Sequence, residues 1–176
     1  SDLIAKISNH IIGSGGKRIR PILTILGAKI FGYNLPNNRH CNLAAAVELV
    51  HTATLLHDDV VDEGKLRRGK KTSNLIWGNK SAILVGDYLF SLSFKLMTKD
   101  ESLDILRVLS ESSKKIADGE ILQLTKFKNI RLSIKDYIKV ISFKTAALFS
   151  SSLEVGAIIT NQNQDKRMIL REFGNN

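Results

Sequence analysis

Proline and cysteine are nearly missing from this chain of 176 residues. The two prolines, Pro21 and Pro36, and the long stretches without glycine clusters argue for helices over a β-rich fold. A single cysteine, Cys41, excludes an internal disulfide and carries no redox or zinc motif. It reads as a small, partly buried hydrophobe. No apolar run reaches the roughly 18 residues that a membrane-crossing helix needs. The first residues, SDLIAKISNHIIG, lack the basic start, apolar run and small cleavage site of a secretory signal, and they lack an initiator methionine. A fragment or processed product in the cytoplasm is therefore the default expectation. There is no internal repeat and no low-complexity tract.

Positive charge and apolar residues are plentiful. Hydrophobic residues make up 43% of the chain, enough for the core of one domain. Lys and Arg number 26 against 17 Asp and Glu, a net charge of +9. Such a balance attracts phosphates, whether on nucleic acid, lipid or small diphosphates. No recognition-helix or RNA-binding motif accompanies it, so nucleic acid is not the expected partner.

The apolar spacing predicts an all-α bundle. Leu3, Ile4, Ile7, Ile11 and Ile12 open a first helix, which Gly13–Gly16 ends. A second begins near Pro21 and runs to about Phe31, before a loop over Gly32–Arg39. The helix expected over Asn42–Val61 is apolar nearly all round and belongs in the middle of the bundle. Glu63–Ser73 reads as a charged loop or frayed helix end. Further helices are expected over Lys80–Lys99, Glu101–Leu124, Ser133–Ile159 and Gln162–Phe173.

Within the central helix an apolar run suddenly carries Asp58, Asp59 and Asp62. Asp58 and Asp62 are four apart and share a face, so something positive should sit between them. Oxygen ligands without His or Cys favour a hard ion such as Mg²⁺, which shares itself with substrate phosphates. An exposed acidic helix end is the plainer alternative. His51 lies two turns earlier on the same face and is placed to donate to an anion, whereas His57 reads as structural. Arg67 and Arg68 follow. Their side chains diverge, so they could serve two phosphate groups, although such a pair is usually solvated surface. In Gly15–Pro21, GGKRIRP, paired glycines let the backbone approach a ligand. Lys17 and Arg20 then stand at the start of a helix, where free N–H groups also favour anions. Lys144, followed by Thr145, sits midway in an apolar helix and either snorkels to the surface or enters a polar pocket. Gln123 poses the same question.

Taken in order, GGKRIRP at Gly15–Pro21, ELVHTATLLHDDVVD at Glu48–Asp62, RRG at Arg67–Gly69, GNKSAILVGDYLF at Gly78–Phe90, GEILQL at Gly119–Leu124 and KTAALF at Lys144–Phe149 carry a resemblance. The chain resembles the trans-type polyprenyl diphosphate synthases, and most closely their long-chain bacterial group. The resemblance covers essentially the whole chain, as one partial synthase domain over residues 1–176. It implies an isoprenoid-synthase-type helical bundle around a central cavity. It also implies a prenyltransferase that condenses isopentenyl diphosphate with an allylic prenyl diphosphate, in isoprenoid or quinone side-chain biosynthesis, usually as a homodimer.

By that resemblance Asp58, Asp59 and Asp62 hold Mg²⁺, and Arg67, Lys144 and Thr145 bind the allylic diphosphate. Lys17, Arg20, His51 and Arg68 match the isopentenyl diphosphate pocket. Asp58, Asp59, Asp62 and Lys144 are the residues expected to serve catalysis. Ala53 and Thr54, small residues just before the aspartates, favour a long product. The family's second aspartate-rich motif would follow REFGNN, Arg171–Asn176. The bundle is therefore expected to be C-terminally truncated, and inactive by itself. The alternative is a non-catalytic or degenerate subunit that binds a partner synthase.

Overall fold

The computed structural model describes residues 2–34, 36–126 and 133–176. The chain runs α1 (Asp2–Gly13), α2 (Ile19–Ile30), α3 (Arg39–Val61), a hairpin of β1 (Leu66–Arg67) and β2 (Lys70–Lys71), then α4 (Ser73–Trp77), α5 (Asn79–Lys99) and α6 (Leu103–Lys126). It continues with α7 (Ile134–Ile141), a π-helical turn over Ser142–Ala146, α8 (Ala147–Ile159) and α9 (Gln164–Asn175).

α3 occupies the centre because nearly every side of it is apolar. Leu43, Ala46, Val47, Val50, Ala53 and Leu56 are all fully buried. Each of the larger side chains contributes about 1.5–3 kcal/mol by leaving water. α5 lies along one side of α3, and α2 and α8 along another. α8 is itself enclosed by α2, α6 and α9, and its residues from Ser150 to Ile159 are buried without a break.

Two glycines set the α2–α8 contact. A Cβ on Gly156 would stand 2.5 Å from the carbonyl carbon of Gly27, so the two backbones touch only because neither position has a side chain. That contact brings Arg20, at the start of α2, over the Phe149 ring at 4.4 Å from its centroid. Between α3 and α5, Gly86 leaves room for the His57 ring. The His57 Nε2 lies 3.3 Å from the carbonyl oxygen of Ile83 and 3.3 Å from the Asp87 carboxylate, a structural role as the sequence suggests.

The structure departs from the sequence reading in four places. Cys41 is exposed, not partly buried, because it falls on the solvent side of the first turn of α3. The helix expected over Ser133–Ile159 is interrupted by the π turn. Glu63–Ser73 contains a β-hairpin, with α4 following it, rather than a plain loop. Its turn residues Arg68 (φ 53°) and Gly69 (φ 78°) both take positive φ, the geometry of a two-residue hairpin loop. Glu101, the expected start of α6, also has positive φ, and the helix begins two residues later. The loop over Gly32–Arg39 includes Leu35, which lies outside the described residues.

Candidate active site

The residues singled out from sequence gather at two ends of one region. The first end is built on the turn between α1 and α2. Gly15 (φ 94°) and Gly16 (φ 128°) hold backbone conformations that a side chain disfavours. A Cβ on Gly16 would meet the Arg68 guanidinium at 2.5 Å, so the bare backbone leaves room for that side chain. The Arg68 Nη1 donates to the Gly15 carbonyl oxygen. A cavity of about 220 Å³ opens here, its lining including Lys17, Arg18, Arg20, Glu48, His51, Arg68 and Phe149. The sequence singled out Lys17, Arg20, His51 and Arg68; Arg18, Glu48 and Phe149 it did not. These three lie inside motifs already noted, with Glu48 one helical turn before His51.

The electrostatics of this end follow from burial among cations. Burial, then the charges of Arg20, Arg68, Arg67 and Arg18, push the His51 imidazole down to about 3. It is therefore neutral at ordinary pH. The Arg20 Nη1 lies 3.2 Å from the His51 Nε2 and donates to it, which assigns the ring proton to Nδ1. Burial lowers the Arg20 pKa, and the charge of Glu48 opposes that effect.

The second end is built from α3, α6 and the π turn. The Lys144 Nζ donates to Glu120 at 2.8 Å and to the Gln123 Oε1 at 3.3 Å, and it stands 3.6 Å from the Asp58 Oδ2. Lys144 thus enters a polar pocket instead of snorkelling outward. Lys144 lies within the π turn, which packs against α6. Such turns often mark functional sites. Gly119 lets α6 come close, since a Cβ there would stand 3.0 Å from the Lys144 backbone nitrogen. Thr145 is exposed beside it. Burial, then the charge of Glu120, raises the Asp58 carboxyl against the pull of Lys144, up to about 6. Burial opposes the charge on Lys144, but the hydrogen bond to Glu120 and the surrounding carboxylates outweigh it and raise its pKa.

Asp59 and Arg67 form a separate pair. Asp59 is buried, and it accepts from the Arg67 Nε at 3.0 Å and from Nη2 at 2.7 Å. Asp62 closes α3 and is exposed. The positive group expected among the aspartates is thus supplied twice, by Lys144 at Asp58 and by Arg67 at Asp59. Asp58 and Asp62, with Glu120 near, offer the oxygen donors that a hard cation takes. Among the described residues, however, no three Asp, Glu, His or Cys side chains converge into a ready metal cage. The carboxylates fit one wall of such a site.

The two ends are held at fixed separation. His51 and Asp58 lie seven residues apart on α3, about 10 Å along its axis. Lys144 in the π turn reaches the aspartate end and Phe149 in α8 lines the other, and the hairpin sends Arg67 to one end and Arg68 to the other. A second cavity of about 250 Å³ lies between α6, α8 and α9, and none of the residues expected from sequence lines it. Among the described residues no helix is long and apolar enough to cross a membrane.

The polyprenyl synthetase family model matches residues 1–176. Octaprenyl diphosphate synthase of Escherichia coli (strain K12) is 41% identical over 172 residues, which cover 98% of this chain and 53% of the relative. A decaprenyl diphosphate synthase from Rhodobacter capsulatus superposes with a TM-score of 0.94 at 49% identity, over 98% of this chain and 52% of that one. A polyprenyl synthase from Caulobacter crescentus CB15, complexed with calcium and isoprenyl diphosphate, superposes with a TM-score of 0.93 at 44% identity, over 97% of this chain and 52% of that one. The chain spans about half the length of the curated relatives it matches. Family model, relatives and shared architecture agree along essentially its whole length, and the chain belongs to the polyprenyl synthetase family.

Proposed function

We propose that this chain forms the diphosphate-binding half of an all-trans long-chain polyprenyl diphosphate synthase, which joins isopentenyl diphosphate to an allylic prenyl diphosphate. The observation that carries the reading is the hairpin that directs Arg68 to the cationic cavity and Arg67 to the aspartates. Two anion sites about 10 Å apart along α3 suit two diphosphate substrates whose carbon ends must meet.

Lys17, Arg20 and Arg68 bind the diphosphate of isopentenyl diphosphate. Neutral His51 accepts from Arg20 at Nε2 and so keeps its proton on Nδ1. Asp58 and Asp62 are the residues that would hold Mg²⁺, and when bound the ion supplies positive charge against the leaving diphosphate. Asp59 takes two nitrogens of Arg67 and leaves Nη1 for the allylic diphosphate, which Lys144 and Thr145 meet from the π turn. Lys144 leaves its carboxylate partners for that diphosphate as charge builds on it. The allylic C–O bond breaks with its electron pair on the diphosphate. The isopentenyl double bond then attacks the allylic cation to form the new C–C bond, and the departing diphosphate takes the proton. No protein nucleophile is required.

Ala53 and Thr54, small residues just before the aspartates, favour a long product. A homodimer is part of the proposal, and exposed Ile83, Leu84 and Tyr88 on α5 offer it an apolar surface. Turnover needs the half of the family fold that this chain does not span. Exposed Ile22, Leu26 and Ile30 on α2, and Ile169 and Phe173 on α9, fit a face that such a half covers.

The test has two parts. Isopentenyl diphosphate should bind the folded chain by titration calorimetry and lose its affinity in K17A and R20A. The chain fused to the remaining half of the E. coli relative should incorporate labelled isopentenyl diphosphate into farnesyl diphosphate with Mg²⁺. A chain that is helical by circular dichroism yet binds no diphosphate would overturn the reading.

A further inference from the structure

We propose that Glu48 is a positioning residue of the cationic cavity, and that it acts by clamping Arg18. The proposal rests on reading that cavity as a diphosphate site. Arg18 belongs to the same GGKRIRP turn as Lys17 and Arg20, yet it serves differently. Its Nη1 donates to the Glu48 Oε1 at 2.8 Å, and its Nη2 donates to the carbonyl oxygen of Ile12, in the last turn of α1. One guanidinium therefore ties the end of α1 and the start of α2 to the central helix.

Arg18 also occupies the left-handed backbone region, with φ 51° and ψ 35°, immediately before α2. A non-glycine residue held there costs about 1–3 kcal/mol and persists only when its surroundings fix it. No side-chain cap supports it. Its guanidinium is held by the Ile12 carbonyl and by Glu48, and Glu48 is the side chain that ties it to the central helix, being only 18% exposed.

A carboxylate inside a cavity that gathers Lys17, Arg20 and Arg68 should, by charge alone, weaken anion binding. Its presence is explained by geometry. Glu48 stands one turn before His51 on α3, so the clamp and the His51–Arg20 hydrogen bond share one rigid face. With Arg18 drawn back to Glu48, the turn presents Lys17 and Arg20 to the ligand in a single arrangement. Without the clamp, Arg18 and the glycines beside it sample many arrangements, and binding must order them at an entropic cost.

The experiment is titration calorimetry of the chain with inorganic pyrophosphate in Mg²⁺-free buffer. It compares the unaltered chain with E48Q, E48D, R18A and the E48Q/R18A double variant, with circular dichroism melting of each. E48Q and R18A should each weaken pyrophosphate roughly ten-fold, about 1.4 kcal/mol. The double variant should be no worse than either single one, since both remove the same clamp. E48D, which keeps the charge, should recover part of the loss. A merely structural role would lower the melting temperature and leave the affinity of the still-folded protein intact. The proposal is overturned if E48Q binds pyrophosphate as tightly as the unaltered chain or more tightly, which would make Glu48 a charge brake, or if the two losses add. Should the folded unaltered chain bind no pyrophosphate, the reading of the cavity fails and this inference fails with it.

Discussion

The two ends of the candidate site solve opposite electrostatic problems. At the α1–α2 turn, cations crowd around a histidine that burial and its neighbours keep neutral, with Glu48 as the carboxylate of the group. At the aspartates, carboxylates crowd together and Lys144 and Arg67 offset only part of their charge. The first end carries uncompensated positive charge and is ready for an anion. The second sets two cations against four carboxylates, so it is ready for a cation, and an anion there must first separate existing pairs. Anion affinity should therefore reside at the first end, and contributions to stability at the second.

The largest expected effect tests the stability side. Asp59→Ala strands the Arg67 guanidinium. Removing one partner of a buried pair costs about 3–5 kcal/mol, and solvent reaching the 28%-exposed Arg67 side chain reduces this to roughly 2–3 kcal/mol. Urea denaturation measures it. Arg20→Ala should lose binding instead. Isopentenyl diphosphate affinity should fall ten- to a hundred-fold, the equivalent of about 1.5–3 kcal/mol for charge-assisted hydrogen bonds, with little change in the urea midpoint. The comparison breaks if Arg20→Ala destabilises as much as Asp59→Ala.

A smaller effect is expected from Gly16→Ala, which imposes a strained φ of 128° and pushes against Arg68. Roughly 1–2 kcal/mol should be lost. Calorimetry should show weaker anion binding, while the pH at which Asp58 titrates, followed by carboxyl NMR shifts, stays in place.

The pH dependence supplies a further test, as opposed slopes of stability at the two ends. His51 has its folded pKa depressed to about 3 from 6.5. Its stabilisation is present above 6.5 and is lost as the pH falls towards 3. Asp58 has its folded pKa raised to about 6 from 3.8, so the folded state binds the extra proton between these values. That contribution is present below 3.8 and is lost as the pH rises through 6. In denaturation series from pH 4 to 7, His51→Gln should flatten the rise in stability with pH, and Asp58→Asn should steepen it. Slopes that move in the same direction for both variants would contradict the contrast between the two ends.

Much of this was legible before the structure. Helices announced themselves through apolar spacing, and the central helix through an apolar surface on every side. His51, Asp58 and Asp62 fell on one face by simple periodicity. Lys17 and Arg20 were marked by the glycines before them. What escaped notice had weak local signals. The two-residue strands of the hairpin are too short to show alternation, and Gly69 after the arginines was the one hint of a tight turn. Glu48 and Arg18 looked like ordinary members of a charged motif, since nothing in either segment names the other as its partner. Glu120 was passed over for the same reason. The π turn showed no sequence pattern of its own, and its packing against Gly119 of α6 joins residues far apart in the chain.

By itself the sequence determined the bundle, its central helix, the positive φ favoured at the paired glycines and the charges available to a diphosphate. These follow from periodicity, backbone sterics and side-chain chemistry, which act over a few residues. Only the tertiary structure decided how the charges pair: Arg67 with Asp59, Lys144 with Glu120 and Asp58, Arg18 with Glu48. It alone set the protonation of His51 and Asp58 too. Burial and the field of distant neighbours control both, and neither exists until the helices have packed.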